Sequence, residues 1–149
     1  MRSQFSKISR NIIFRCDSSK YIGSGHIIRC LSLAFELKKN GFNIIFICRD
    51  HPGNLTNLIR KHFQVLDLPR ILEKSYVSNN NISGPELYDF WLGCAQKKDV
   101  IDSLSSLKNN SIKNIDWIII DHYGIDIEWE EYFISQSNES TKLMIIDDL

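Results

Sequence analysis

The sequence predicts an α/β protein in which a parallel sheet carries helices on both faces. Three observations predict it. Five short, Ile-rich apolar runs alternate with segments of helical periodicity. The runs are nearly continuous in hydrophobicity, as parallel strands covered on both faces require. Polar and titratable residues gather just after the runs, at the edge where open parallel sheets bind ligands.

The first strand is predicted over Asn11 to Arg15 and passes through Cys16-Asp17 into a glycine-containing loop, Gly23-Ser24-Gly25. A helix follows over about Gly25 to Lys39. It places Ile27, Cys30, Leu31, Ala34 and Phe35 on one face, and Asn40-Gly41 supplies the stop. Asn43 to Cys48 forms the second strand. The turn Pro52-Gly53-Asn54 leads into a helix over Leu55 to His62, and Gln64 to Leu68 is the third strand. From Pro69 to Tyr88 no period holds, and Asn79-Asn80-Asn81 with Ser83-Gly84-Pro85 predicts a long loop. Trp91-Leu92-Gly93 is expected to be a packed turn before a helix over Gln96 to Leu107. Strand Trp117 to Ile120, helix Ile127 to Ser135 and strand Lys142 to Ile146 complete a β-α-β-α-β-α-β-α-β order, which is Rossmann-like.

The chain has 149 residues, enough for one core that buries roughly two-thirds of the unfolded surface. Residues 1–10 read as an extension without the apolar stretch of a signal peptide, and 11–149 as the domain. Lys and Arg total 18, as do Asp and Glu, so no nucleic-acid footprint is expected. No segment approaches the ~18 apolar residues of a membrane span. Cys16, Cys30, Cys48 and Cys94 form no C-x-x-C pair, and we read them as reduced thiols of a cytoplasmic protein.

Candidate chemistry lies after the strands. A strand, a glycine loop and a helix start together present backbone N–H groups and a positive dipole end to polar or anionic ligands. His26, at that mouth, can serve as a general base near neutral pH, or simply cap the helix. Gly23 and Gly25 begin a dinucleotide fingerprint that Ile28 breaks, and no Lys-Ser/Thr pair makes a phosphate loop. Asp50 lies where a ribose-binding acid would sit, so a nicotinamide reading stays open beside that of a tight turn. No cofactor is assigned. Asp121, His122 and Tyr123 supply a carboxylate able to orient an imidazole and a phenol able to bind a sugar hydroxyl. A metal held by His122, Asp147 and Asp148 lacks supporting spacing, and no metal is assigned. Arg49 and Asp50 are expected as a solvated strand end, His51 in a turn, and His62 as structural or exposed.

Phe14-Arg15-Cys16-Asp17, Ile22-Gly23-Ser24-Gly25-His26 and Arg29-Cys30-Leu31 resemble the N-terminal half of the UDP-2,4-diacetamido-2,4,6-trideoxy-β-L-altropyranose hydrolases of pseudaminic acid biosynthesis. So do Phe46-Ile47-Cys48-Arg49-Asp50, Gly53-Asn54, Trp91-Leu92-Gly93 with Gln96 and Asp99, Asp116-Trp117, Asp121-His122-Tyr123 and Ile146-Asp147-Asp148-Leu149. The resemblance implies the N-terminal domain of a GT-B fold that faces the sugar, with a C-terminal UDP-binding domain expected beyond the abrupt end of this chain. It implies hydrolysis at the anomeric carbon with His26 as base and Asp17 orienting His26 or binding the sugar. Gly23, Gly25, Arg29, His122 and Tyr123 would bind the UDP-sugar. A GT-B glycosyltransferase half and a noncatalytic nucleotide- or partner-binding domain are the alternatives.

Overall fold

The computed structural model describes residues 10–71 and 85–146. Ten elements follow in order: β1 (Asn11–Cys16), α1 (Gly25–Lys39), β2 (Asn43–Arg49), α2 (Thr56–Arg60), β3 (Gln64–Leu68), α3 (Pro85–Leu92), α4 (Gln96–Asn109), β4 (Ile115–Asp121), α5 (Ile127–Ser135) and β5 (Lys142–Ile145). The strands form one sheet in the order β3-β2-β1-β4-β5, and each neighbouring pair is parallel. The predicted α/β, Rossmann-like architecture is the observed one.

Period-two alternation divides the strands between two cores. Ile12, Phe14 and Cys16 of β1, with Ile44, Phe46 and Cys48 of β2, pack against Ile27, Cys30, Leu31 and Ala34 of α1 and Ile59 of α2. Ile13, Ile45, Ile47, Ile118 and Ile120 meet Val100 and Leu107 of α4 and Trp129 and Phe133 of α5 on the other face. Both faces are therefore covered, and the apolar runs are continuous because each face needs its own apolar set.

The predicted stop of α1 is a Schellman turn: Gly41 N–H donates to Lys38 O, Phe42 N–H donates to Leu37 O, and Gly41 takes φ +85°. β1 and β2 run one residue further than predicted and β4 runs one further at its end, while β5 stops at Ile145, although Ile146 N–H still donates to Ile120 O. α2 is shorter than the predicted Leu55 to His62. The larger correction concerns α3. Residues 85–88, expected in a loop, and Trp91-Leu92, expected in a turn, are helical, with Pro85 at the first helical position, where a missing N–H is tolerated. The rest of that predicted loop from 72 to 84, residues 1–9 of the extension, and Asp147 and Asp148 lie outside the described residues. Among the described residues no helix is long and apolar enough to cross a membrane.

Candidate active site at the strand-order switch

The strand order reverses between β1 and β4, so the chains leaving these strands diverge, α1 to one face and α5 to the other, and a crevice opens between them. The loop after β1 is shaped locally. Ser19 Oγ accepts from the N–H groups of Tyr21 and Ile22, Gly23 N–H donates to Ser19 O, and Gly23 at φ +84° turns the chain into α1. Ser24, at the N-cap, makes no side-chain bond to the first turn of the helix.

His26, the second residue of α1, has 9% of its side chain exposed. Its Nδ1 lies 2.5 Å from Oδ1 of Asp121, the last residue of β4. Burial alone would push the Asp121 carboxyl up, but hydrogen bonds from His26 and Arg29 outweigh it and hold Asp121 below the usual carboxylate range. An ionised carboxylate only accepts, so Nδ1 carries the proton and the lone pair of neutral His26 is on Nε2. Arg29, three residues along α1, forks onto the same carboxylate, Nε and Nη2 each at 2.8 Å. The Tyr123 ring meets His26 edge-on at 4.9 Å. Ile22, Gly25, His26, Arg29 and Tyr123 line a cavity of ≈ 210 Å³. A larger cavity of ≈ 540 Å³, lined among others by Leu104, Lys113, Ile115 and Thr141, lies by the start of β4, at the opposite edge of the sheet, away from these titratable groups. We take the smaller one as the candidate site because the His26–Asp121 pair opens onto it.

Behind His26 lies a buried ionic network. Arg15 and Asp17 are 0% exposed and bond through Nη1 at 2.6 Å and Nη2 at 3.0 Å. Asp17 also accepts from the Arg49 backbone N–H at 2.7 Å, and His51 Nε2 is 3.3 Å away. Asp99, in α4, accepts from Arg15, from Arg49 and from Trp129 Nε1. Two guanidinium and two carboxylate groups balance each other in a fully buried space, the condition for keeping such charges inside. Burial would raise Asp17, yet the charge of Arg15 and the contacts from His122 and His51 hold it well below the carboxylate range; Asp99 is lowered likewise by Arg15 and Arg49.

Several expectations are corrected here. The carboxylate that orients His26 is Asp121; Asp17 is turned inward and occupied by Arg15, His51 and Arg49. His122 is not among the cavity-lining residues. Its Nδ1 accepts from Gly124 N–H at 2.9 Å, which puts the proton on Nε2, and Nε2 sits 3.1 Å from Asp17 Oδ2. That second contact is off the line of a hydrogen bond, so we read it as electrostatic. Burial pushes His122 below the ordinary histidine value, and its ring packs behind His26 at 6.4 Å between centroids. Gly25, Arg29 and Tyr123 line the cavity with His26, whereas Gly23 shapes the loop. Arg49, expected in solvent, is 1% exposed. His51 is in the predicted turn but buried, and His62 packs its ring against Phe35, far from the site in sequence and fold.

The sequence reading missed the network formed by Arg15, Arg49, Asp99 and Trp129. A charged residue inside a continuously apolar strand, as Arg15 and Arg49 both are, was the available signal. Gly124 is a second omission. A Cβ there would clash with the Tyr88 backbone oxygen and meet His122 Cε1 at 3.0 Å, so its bareness lets α3 close on the loop after β4. Tyr88 and Trp91 of α3 then pack on Tyr123, with centroids 5.5 and 6.0 Å away.

Cys16, Cys30 and Cys48 are buried free thiols. Hydrogen bonds with Cys30 and Cys48, together with burial, push the Cys16 thiol well up, away from thiolate chemistry. Among the described residues no group of three or more His, Cys, Asp or Glu is arranged to hold a metal ion. No protein-family model matches the chain, and no curated protein matches it either.

Proposed function

We propose that this chain is the sugar-facing, catalytic part of a UDP-sugar hydrolase that releases UDP from UDP-2,4-diacetamido-2,4,6-trideoxy-β-L-altropyranose in cytoplasmic pseudaminic acid synthesis. The observation that carries the reading is the His26–Asp121 pair at the strand-order switch, with Nε2 of His26 left for the cavity. The motif resemblance, spread from Phe14 to Leu149, supports the substrate.

On this reading His26 Nε2 takes a proton from water as the water oxygen bonds to C1 of the sugar. The bond from C1 to the diphosphate oxygen breaks, its electron pair leaves with UDP, and the configuration at C1 inverts. Asp121 keeps the imidazole in the right tautomer and stabilises the imidazolium that forms, as the carboxylate does in serine-hydrolase triads. UDP is a good leaving group, so one base suffices where ordinary glycosidases use two carboxylates. Arg29 and Tyr123 border the sugar, and a separate UDP-binding domain is part of the proposal.

The test is UDP release from that nucleotide sugar by this chain, by this chain joined to a C-terminal half from the resembled family, and by the joined protein with His26→Ala. We expect release from the joined protein and a loss of about 10²-fold or more in His26→Ala. Equal release with and without His26 refutes the proposal, and release that requires a sugar acceptor makes the protein a transferase.

A further inference from the structure

The ≈ 540 Å³ cavity by the start of β4 has no part in the chemistry proposed above. Its floor is aliphatic: Leu104 and Leu107 of α4, with Ile112 and Ile115, line it and pack against the core on the α4 and α5 face of the sheet. Among the described residues no aromatic or acidic side chain lines it, and Lys108 and Lys113 supply its charge. Neither ammonium group is in an ion pair with a described residue.

The C-terminal ends of α4 and α5 border this cavity, and bare helix C-termini would repel an anion. Here their last carbonyls are taken. At the end of α4 the Ser106, Leu107 and Lys108 carbonyls accept from backbone N–H groups of residues 110–112, and at the end of α5 the Tyr132, Phe133 and Ile134 carbonyls accept from those of 136 and 137. The two lysines are left as the groups able to meet a charged ligand. The backbone is also unusual. Ser111 and Asn114, the two non-glycine residues with left-handed φ among the described residues, at 56° and 53°, both line the cavity. Ser111 closes α4 with the same pair of hydrogen bonds that closes α1 at Gly41, a turn that glycine serves with less strain. Such strain gathers where a site needs a particular side chain.

We propose that this cavity is a second binding site, one for an aliphatic carboxylate, with the chain of the ligand on the leucine and isoleucine floor and its head group at Lys108 and Lys113. The volume lies within the roughly 300–1,000 Å³ of small-molecule sites, and an apolar floor with a few polar groups is their usual composition.

The test is a titration of this chain with decanoate below its micelle concentration, followed by methyl NMR of the Leu and Ile side chains, with decyltrimethylammonium as the probe of opposite charge. Decanoate is expected to shift Leu104, Leu107, Ile112 and Ile115 saturably, and the cation is not. The double variant Lys108→Gln, Lys113→Gln is expected to bind decanoate about 5-fold or more weakly, as the loss of two exposed ion pairs predicts. Both lysines are exposed, so the variant leaves the core intact. No response to decanoate, an equal response to both probes, shifts scattered over the surface, or unchanged affinity in the double variant each overturns the proposal. None of these readouts involves His26 or UDP release, so the outcome is independent of the hydrolase reading.

Discussion

Replacing Asp99 with Ala tests how the buried network supports the site. Asp99 accepts from Arg15 Nε and Nη2 at 3.1 and 2.8 Å, from Arg49 Nε and Nη2 at 3.0 and 2.7 Å, and from Trp129 Nε1 at 2.9 Å. After Asp99→Ala, Arg15 keeps Asp17, and Arg49 keeps Asp102 and the Pro69 carbonyl. The buried space then holds two guanidinium groups against one fully buried carboxylate, and the indole N–H loses its acceptor. Breaking a buried pair by removing one partner costs about 3–5 kcal/mol. Against a typical total of ~5–15 kcal/mol for a domain, that is a large share. At about 2–4 °C per kcal/mol for a chain of this size, the Tm falls by roughly 6–20 °C. Urea denaturation followed by circular dichroism measures the change, with Asp102→Ala as comparison. Asp102 is 16% exposed, shares its charge with exposed Lys98 and meets Arg49 through one contact, so its loss is expected to cost less than that of Asp99. A folded Asp99→Ala within about 1 kcal/mol of wild type, at an unchanged denaturant slope, refutes the reasoning.

Acid stability follows from the same groups. His122 is lowered in the folded state, so the stability it contributes is complete above the ordinary value of 6.5 and is lost as pH falls through its folded value. Asp17, Asp99 and Asp121 are lowered too, so their contribution is complete above 3.8 and is lost as pH falls below it. The urea midpoint is therefore expected to decline in two stages on acidification, the first starting near pH 6.5 and absent in His122→Gln; a flat midpoint from pH 7 to 5 contradicts this. In Gly124→Ala the new methyl meets a backbone oxygen of α3 that cannot rotate away, and we expect a loss of about 1–3 kcal/mol with altered packing of Tyr88 on Tyr123. Chemical denaturation and ring-proton NMR contacts check it, and wild-type values for both remove the assigned role of Gly124.

The elements were legible in the sequence where a local physical rule acts. Ile12-Ile13-Phe14 and Ile44-Ile45-Phe46 declare strands buried on both faces, and Asn40-Gly41 declares a helix stop, because each depends on its own residues and near neighbours. α3 escaped because eight residues cannot show a clear helical period beside a run of asparagine, and its stability comes from aromatic packing on Tyr123. The candidate site divides the same way. That His26, Asp121 and Tyr123 stand at strand ends follows from the sequence, since a parallel sheet brings all those ends to one edge. Which carboxylate meets His26 was decided by the tertiary structure. Asp17 is nearer in sequence, but β1 pairs with both β2 and β4, Arg15 draws Asp17 inward, and α1 lies where its second residue faces the end of β4. Strand order and the pairing of buried charges are long-range choices, made by the packing of the whole sheet, and no stretch of sequence carries them alone.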